Sequence, residues 1–93
     1  MVDFELFDLG VNYPDYFQGF GVSGNGFTHC VVGCGCSQSE AFDDLMEQFA
    51  QYEGVTCGMT DYVERKIIAE NDPPSETILE NEDKMYYLGL RWN

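Results

Sequence analysis

From Val2 to Leu9 apolar and acidic residues alternate. Val2, Phe4 and Leu6 fall on one side and Asp3 and Glu5 on the other, which is the period of a half-buried strand. Asn12-Tyr13-Pro14-Asp15 is turn chemistry, since Pro14 lacks a backbone donor and ends the strand. Tyr16 to Ser23 reads as a second strand, aromatic and spaced by glycines. Ser23-Gly24-Asn25-Gly26 predicts a hairpin, because Asn-Gly tolerates the positive φ of a primed turn, and Phe27 to Gly35 returns as a third strand. The period then changes. Ser37-Gln38-Ser39-Glu40 is a capping box, and the helix it opens sets Ala41, Phe42, Leu45, Met46, Phe49 and Tyr52 in one stripe. Gly54 closes that helix. A second helix is expected from about Asp61 to Ala69, capped by Thr60, with Val63, Ile67 and Ile68 apolar and Asp72-Pro73-Pro74 stopping it. Ser75 to Asp83 reads as a mobile, acidic loop. Met85 to Trp92 predicts a last strand, with Tyr86, Leu88, Leu90 and Trp92 on one face and Met85, Tyr87 and Arg91 on the other. The expected fold is α+β: an antiparallel sheet of about four strands, order β-β-β-α-α-β, with two helices on one face and charge protecting the open edges.

Composition narrows the class. The chain has 93 residues, enough for one domain with a modest core. Seven Phe, six Tyr and one Trp supply bulky filling. Seventeen Asp and Glu stand against four Lys and Arg, for a formal charge of −13. The bases Arg65, Lys66, Lys84 and Arg91 all lie in the last third, so most carboxylates lack a local ion-pair partner and repel one another. Direct nucleic-acid binding rests on Lys and Arg meeting phosphates and is not expected here. No apolar run approaches the roughly 18 residues of a membrane span. The acidic start, Met1-Val2-Asp3-Phe4-Glu5, is unlike a basic secretion signal, so an intracellular location is expected.

Few motifs carry chemistry. Cys30, Cys34, Cys36 and Cys57 accompany the single histidine, His29. Zinc ligands commonly come in pairs two to four residues apart. Cys30 and Cys34 fit loosely, but Cys57 has no near partner, so no metal is expected. The reading preferred for the cysteines is apolar packing under the first helix. Gly19-Phe20-Gly21-Val22-Ser23-Gly24 matches G-x-G-x-x-G, yet a strand follows where a dinucleotide site needs a helix. A nucleophilic enzyme needs an activated Ser or Cys beside a base, and His29 points away from Cys30 on a strand. Neither catalysis nor a cofactor is expected.

Tyr13-Pro14-Asp15-Tyr16-Phe17-Gln18-Gly19-Phe20-Gly21-Val22, Cys30-Val31-Val32-Gly33-Cys34-Gly35, the Ser39-Glu40-Ala41 helix start and Tyr86-Tyr87-Leu88-Gly89-Leu90-Arg91-Trp92 together resemble small acidic proteins of bacteriophages and mobile elements. Many of these are anti-CRISPR or anti-restriction inhibitors that imitate DNA. The resemblance implies a non-enzymatic inhibitor in the cytoplasm of a bacterial host, blocking the DNA or PAM channel of a Cas effector or another basic defence protein. Physically, carboxylates about 5–6 Å apart on a helix are spaced comparably with successive phosphates. Glu40, Asp43, Asp44 and Glu47 would form such a row, extended by Asp3, Glu5, Asp8 and the 76–83 loop, with Tyr13 and Tyr16 as aromatic anchors. The strand–Gly–Ser/Glu–helix passage is also similar to the HicB antitoxin arrangement, which implies an antitoxin-like or adaptor module. A monomer and a homodimer are both compatible with the sequence.

Overall fold

A computed structural model describes residues 3–13 and 28–93. Strand β1 spans Phe4–Asn12, β2 His29–Gly35 and β3 Met85–Trp92; helix α1 spans Gln38–Ala50 and α2 Cys57–Glu70. The three strands form one antiparallel sheet in the order β1-β3-β2. The architecture is α+β with the helices on one face. Three strands, not four, are present among the described residues. The strand expected over Tyr16–Ser23 and its Asn-Gly turn lie outside them, as do Tyr16 and Phe27.

The alternation of β3 decides the core. Leu88, Leu90 and Trp92 face the helices and join Ala41, Phe42, Leu45, Met46 and Phe49 of α1 and Val63 and Ile67 of α2 in one buried cluster. Phe4, Leu6, Val31 and Tyr86 close its margins. Tyr87 and Arg91 occupy the opposite face and are buried as well, in keeping with the central place of β3 in the sheet. There the Arg91 guanidinium lies 4.0 Å from the Phe7 ring centroid and reaches Glu5 at 3.4 Å.

Ser37 caps α1 as its sequence predicts, its hydroxyl accepting the Glu40 backbone N–H at 3.1 Å. Gly54 ends the turn that follows with φ +89. The start of α2 differs from expectation. Thr56 is the cap, accepting the Met59 backbone N–H at 3.2 Å, and Thr60 instead donates its hydroxyl proton to the Thr56 carbonyl. The two threonines are one helical turn apart, and Gly58 inside that turn disguised it as a linker.

The glycines of β2 explain how closely α1 lies on the sheet. A Cβ on Gly33 would collide with the Leu45 backbone and come within 2.5 Å of the Ala41 carbonyl oxygen; one on Gly35 would strike Glu40 and Ala41. These glycines, not the cysteines, lie under the first helix. Cys30 and Cys34 project from the opposite face, level with Arg91 and Tyr87, while Cys36 and Cys57 are exposed. Packing beneath α1 is therefore not their role. Alternation along β2 leaves that face to His29, Val31, Gly33 and Gly35.

The Ser75–Asp83 loop is tied down rather than mobile. Ser39 N–H donates to the Ser75 carbonyl at 2.9 Å, and Leu79 N–H donates to the Cys36 carbonyl at 2.7 Å. No described helix is long and apolar enough to cross a membrane.

Candidate functional site

The apolar stripe that seats α1 on the sheet leaves Glu40, Asp43 and Glu47 facing solvent. Their spacing of three and four residues makes them neighbours along one edge of the helix. Glu47 accepts from Gln51 Nε2 at 3.3 Å. Glu40 and Asp43 meet no cation among the described residues, because the four bases are engaged elsewhere. Arg65 reaches Asp61 at 3.5 Å, Lys66 reaches Glu70 at 3.4 Å and Arg91 reaches Glu5. The Lys84 ammonium sits 5.0 Å from the centroid of the Tyr13 ring. The α1 edge is thus a row of carboxylates on a rigid support, of which Glu40 alone lies in the first turn, where the helix dipole favours a negative charge.

The remaining acidic residues do not gather there. Asp44 turns to β2, where its carboxylate accepts the Cys34 backbone N–H at 3.0 Å; it guards the backbone of an outer strand instead of joining the row. Glu5 lies on the far face of the sheet with Arg91, and Asp3 is exposed beyond the start of β1. Asp8 shares the helix-side face of β1 with Phe4 and Leu6. The period of the strand already put it there, since it is two residues beyond Leu6. Tyr13 is 56% exposed, free enough for an anchor, at the opposite end of β1 from Asp3. Of the predicted surface, the structure brings together only Glu40, Asp43 and Glu47.

Asp8 belongs to a polar chain that sequence reasoning missed. Tyr86 Oη donates to its carboxylate, with 2.7 Å to either oxygen, and Gly10 N–H donates to Oδ1 at 3.0 Å. Gln38 Nε2 donates to Tyr86 Oη at 3.1 Å, and Gln38 Oε1 accepts the Ser75 N–H at 2.8 Å. Burial, then the hydrogen bond and charge of Asp8, push the Tyr86 phenol up to about 12. The chain thereby joins β1, β3, α1 and the loop after α2. The alternation of both strands carried a signal for the face that Asp8 and Tyr86 occupy; their pairing and the reach of Gln38 left none.

Among the described residues, the histidine and the strand cysteines stand apart. His29 packs against Trp92 and Tyr52, with Nδ1 3.3 Å from Tyr52 Oη, on the face away from Cys30. Burial raises the Cys30 and Cys34 thiols above their ordinary value, with the charge of Asp44 adding to the effect at Cys34. Such thiols are poor nucleophiles at neutral pH. Among the described residues no three His, Cys, Asp or Glu side chains are grouped to hold a metal ion. No protein-family model, no curated protein and no solved structure matches this chain.

Proposed function

We propose that this domain works by binding: its α1 edge occupies a basic protein surface of the kind that holds nucleic acid and keeps nucleic acid out. The observation that carries the reading is the exposed row Glu40, Asp43 and Glu47, set on a helix with five buried residues and facing none of the chain's four bases. A rigid row of like charges costs little further ordering on binding. Its field steers a basic partner over a Debye length of about 10 Å at 0.1 M salt. The resemblance to phage-encoded defence inhibitors supplies a particular target, the DNA or PAM channel of a Cas effector in a bacterial host.

The test is retention of bacterial proteins on the immobilised chain, followed by elution with duplex DNA. A parallel column carries Glu40→Lys, Asp43→Lys and Glu47→Lys together. Asp44 is left alone because it holds the β2 backbone. DNA should release the retained proteins, and the triple variant should lose at least about tenfold in affinity for them, roughly 1.4 kcal/mol. Retention that DNA does not reverse, or that the folded variant shares, would refute the reading. A Cas effector among the eluted proteins would support the anti-CRISPR version, and a small basic toxin the antitoxin-like alternative.

A further inference from the structure

A cavity of about 300 Å³ opens between the start of α1, the end of α2 and the helix-side face of β1 and β3. Its floor is apolar, made by Leu6, Phe42, Ile67 and Leu88. One wall is the segment Asp72-Pro73-Pro74 that ends α2. Two prolines have fixed φ, and Ser75 behind them is pinned to α1 through Gln38 and Ser39. Ile68, 59% exposed and among the largest exposed hydrophobic residues, stands at the rim. The cavity is therefore preformed, and its volume is at the lower end of those that hold small molecules, about 300 to 1,000 Å³.

Its polar lining has one sign. Asp8 and Asp72 are its acidic lining residues, and none of the four bases lines it. The Asp8 carboxylate is aimed by two donors, Tyr86 Oη and Gly10 N–H. Both are neutral and no described base pairs with Asp8, which is open to solvent at the cavity mouth, and a carboxylate has about four acceptor positions. Gln38 has both ends of its amide engaged already, and the Asn71 amide nitrogen donates to the Ile67 carbonyl at 3.0 Å. A ligand for this site needs an apolar body to cover the floor and a cationic donor to meet Asp8. An anion would be repelled by Asp8, and a purely apolar molecule would make no use of its charge.

We propose that this cavity binds a small primary amine with a compact apolar body, its hydrocarbon on Leu6, Phe42, Ile67 and Leu88 and its ammonium on the Asp8 carboxylate. The site is separate from the α1 acidic edge and does not depend on what that edge binds.

The experiment is a set of methyl and amide NMR titrations of the full chain with 2-phenylethylamine, 2-phenylethanol and phenylacetate at neutral pH. The amine should shift Leu6, Ile67, Ile68 and Leu88 saturably, the alcohol should bind at least about tenfold more weakly, roughly 1.4 kcal/mol, and phenylacetate should not bind. Asp8→Asn, which still accepts from Tyr86, should bring the amine down to the affinity of the alcohol. Ile68→Trp, at an exposed position, should obstruct the rim and weaken both. Asp43→Gln, on α1 away from the cavity, should change neither. Equal binding of amine and alcohol to the native chain would overturn the proposal, leaving an apolar hole. Shifts spread along the α1 edge, or amine affinity unchanged by both Asp8→Asn and Ile68→Trp, would overturn it in favour of loose counter-ion binding.

Discussion

At the scale of single residues, Tyr86 shows how a neutral group and a carboxylate fix each other. Its phenol is held near 12, so between the ordinary tyrosine value of about 10 and about 12 the folded state binds a proton that the unfolded state has released. Tyr86 therefore contributes stability in full below about pH 10 and loses it as the pH climbs through 12. Chemical denaturation across that window should show a fall in stability that is smaller in Tyr86→Phe, whose loss of the Asp8 and Gln38 hydrogen bonds is present at every pH. A fall of the same size in both proteins would mean that Tyr86 is not the titrating group. Which face Asp8 and Tyr86 occupy was legible from strand alternation. Their pairing across the sheet was not, because it depends on β1 lying directly beside β3.

At the scale of elements, α1 was the most legible part of the chain, since a capping serine and an unbroken apolar stripe point to the same helix. Its seat on β2 was less so. Gly33 and Gly35 read as strand residues without an assigned purpose, whereas they are the clearance that lets α1 approach. Gly33→Ala places a methyl group against the backbone of α1, which has no rotamer to give way. The variant should lose about 3 kcal/mol or more in urea denaturation, above the usual range for overpacking a side-chain contact. A loss under about 1 kcal/mol would show that α1 can slide on the sheet. In β1 the alternation is interrupted, because Asp8 pairs with Leu88 and Gly10, at φ +74, with Tyr87. Leu9 is the extra residue of a bulge. This is why the strand runs on to Asn12, past the point where its alternation ends. A bulge needs a partner strand to be visible, and no period within β1 announces one.

At the scale of the whole molecule, −13 charges are carried on a body with a radius of gyration of 13.0 Å. Opposite sides are about twice that radius apart, within the Debye length of about 30 Å at 0.01 M salt, so their charges still repel at low ionic strength. Raising NaCl from about 0.01 M to about 0.5 M shortens that length severalfold. It should raise the melting temperature by roughly 5 °C or more, the shift that about 1 kcal/mol produces in a domain of this size. A melting temperature independent of salt would mean that the carboxylates are too dispersed to oppose folding. The excess of charge was plain in the composition, and its lack of neutralisation on α1 followed from where the bases lie. The order of strands was not legible, since nothing local in Met85–Trp92 says that two other strands flank it.

That order governs how the chain folds. Both outer strands are made first and wait for β3, the last element in sequence, before either has a described neighbour to pair with. Phe4 joins Trp92 across nearly the whole length of the polypeptide, and such distant pairings slow folding because the loop must close before any contact rewards it. During synthesis, α1 and α2 leave the ribosome with their apolar stripes facing a sheet that does not yet exist. The nascent protein passes through a stage in which helices are complete and the surface meant to receive them is still being translated, and it is then most open to chaperones and proteases.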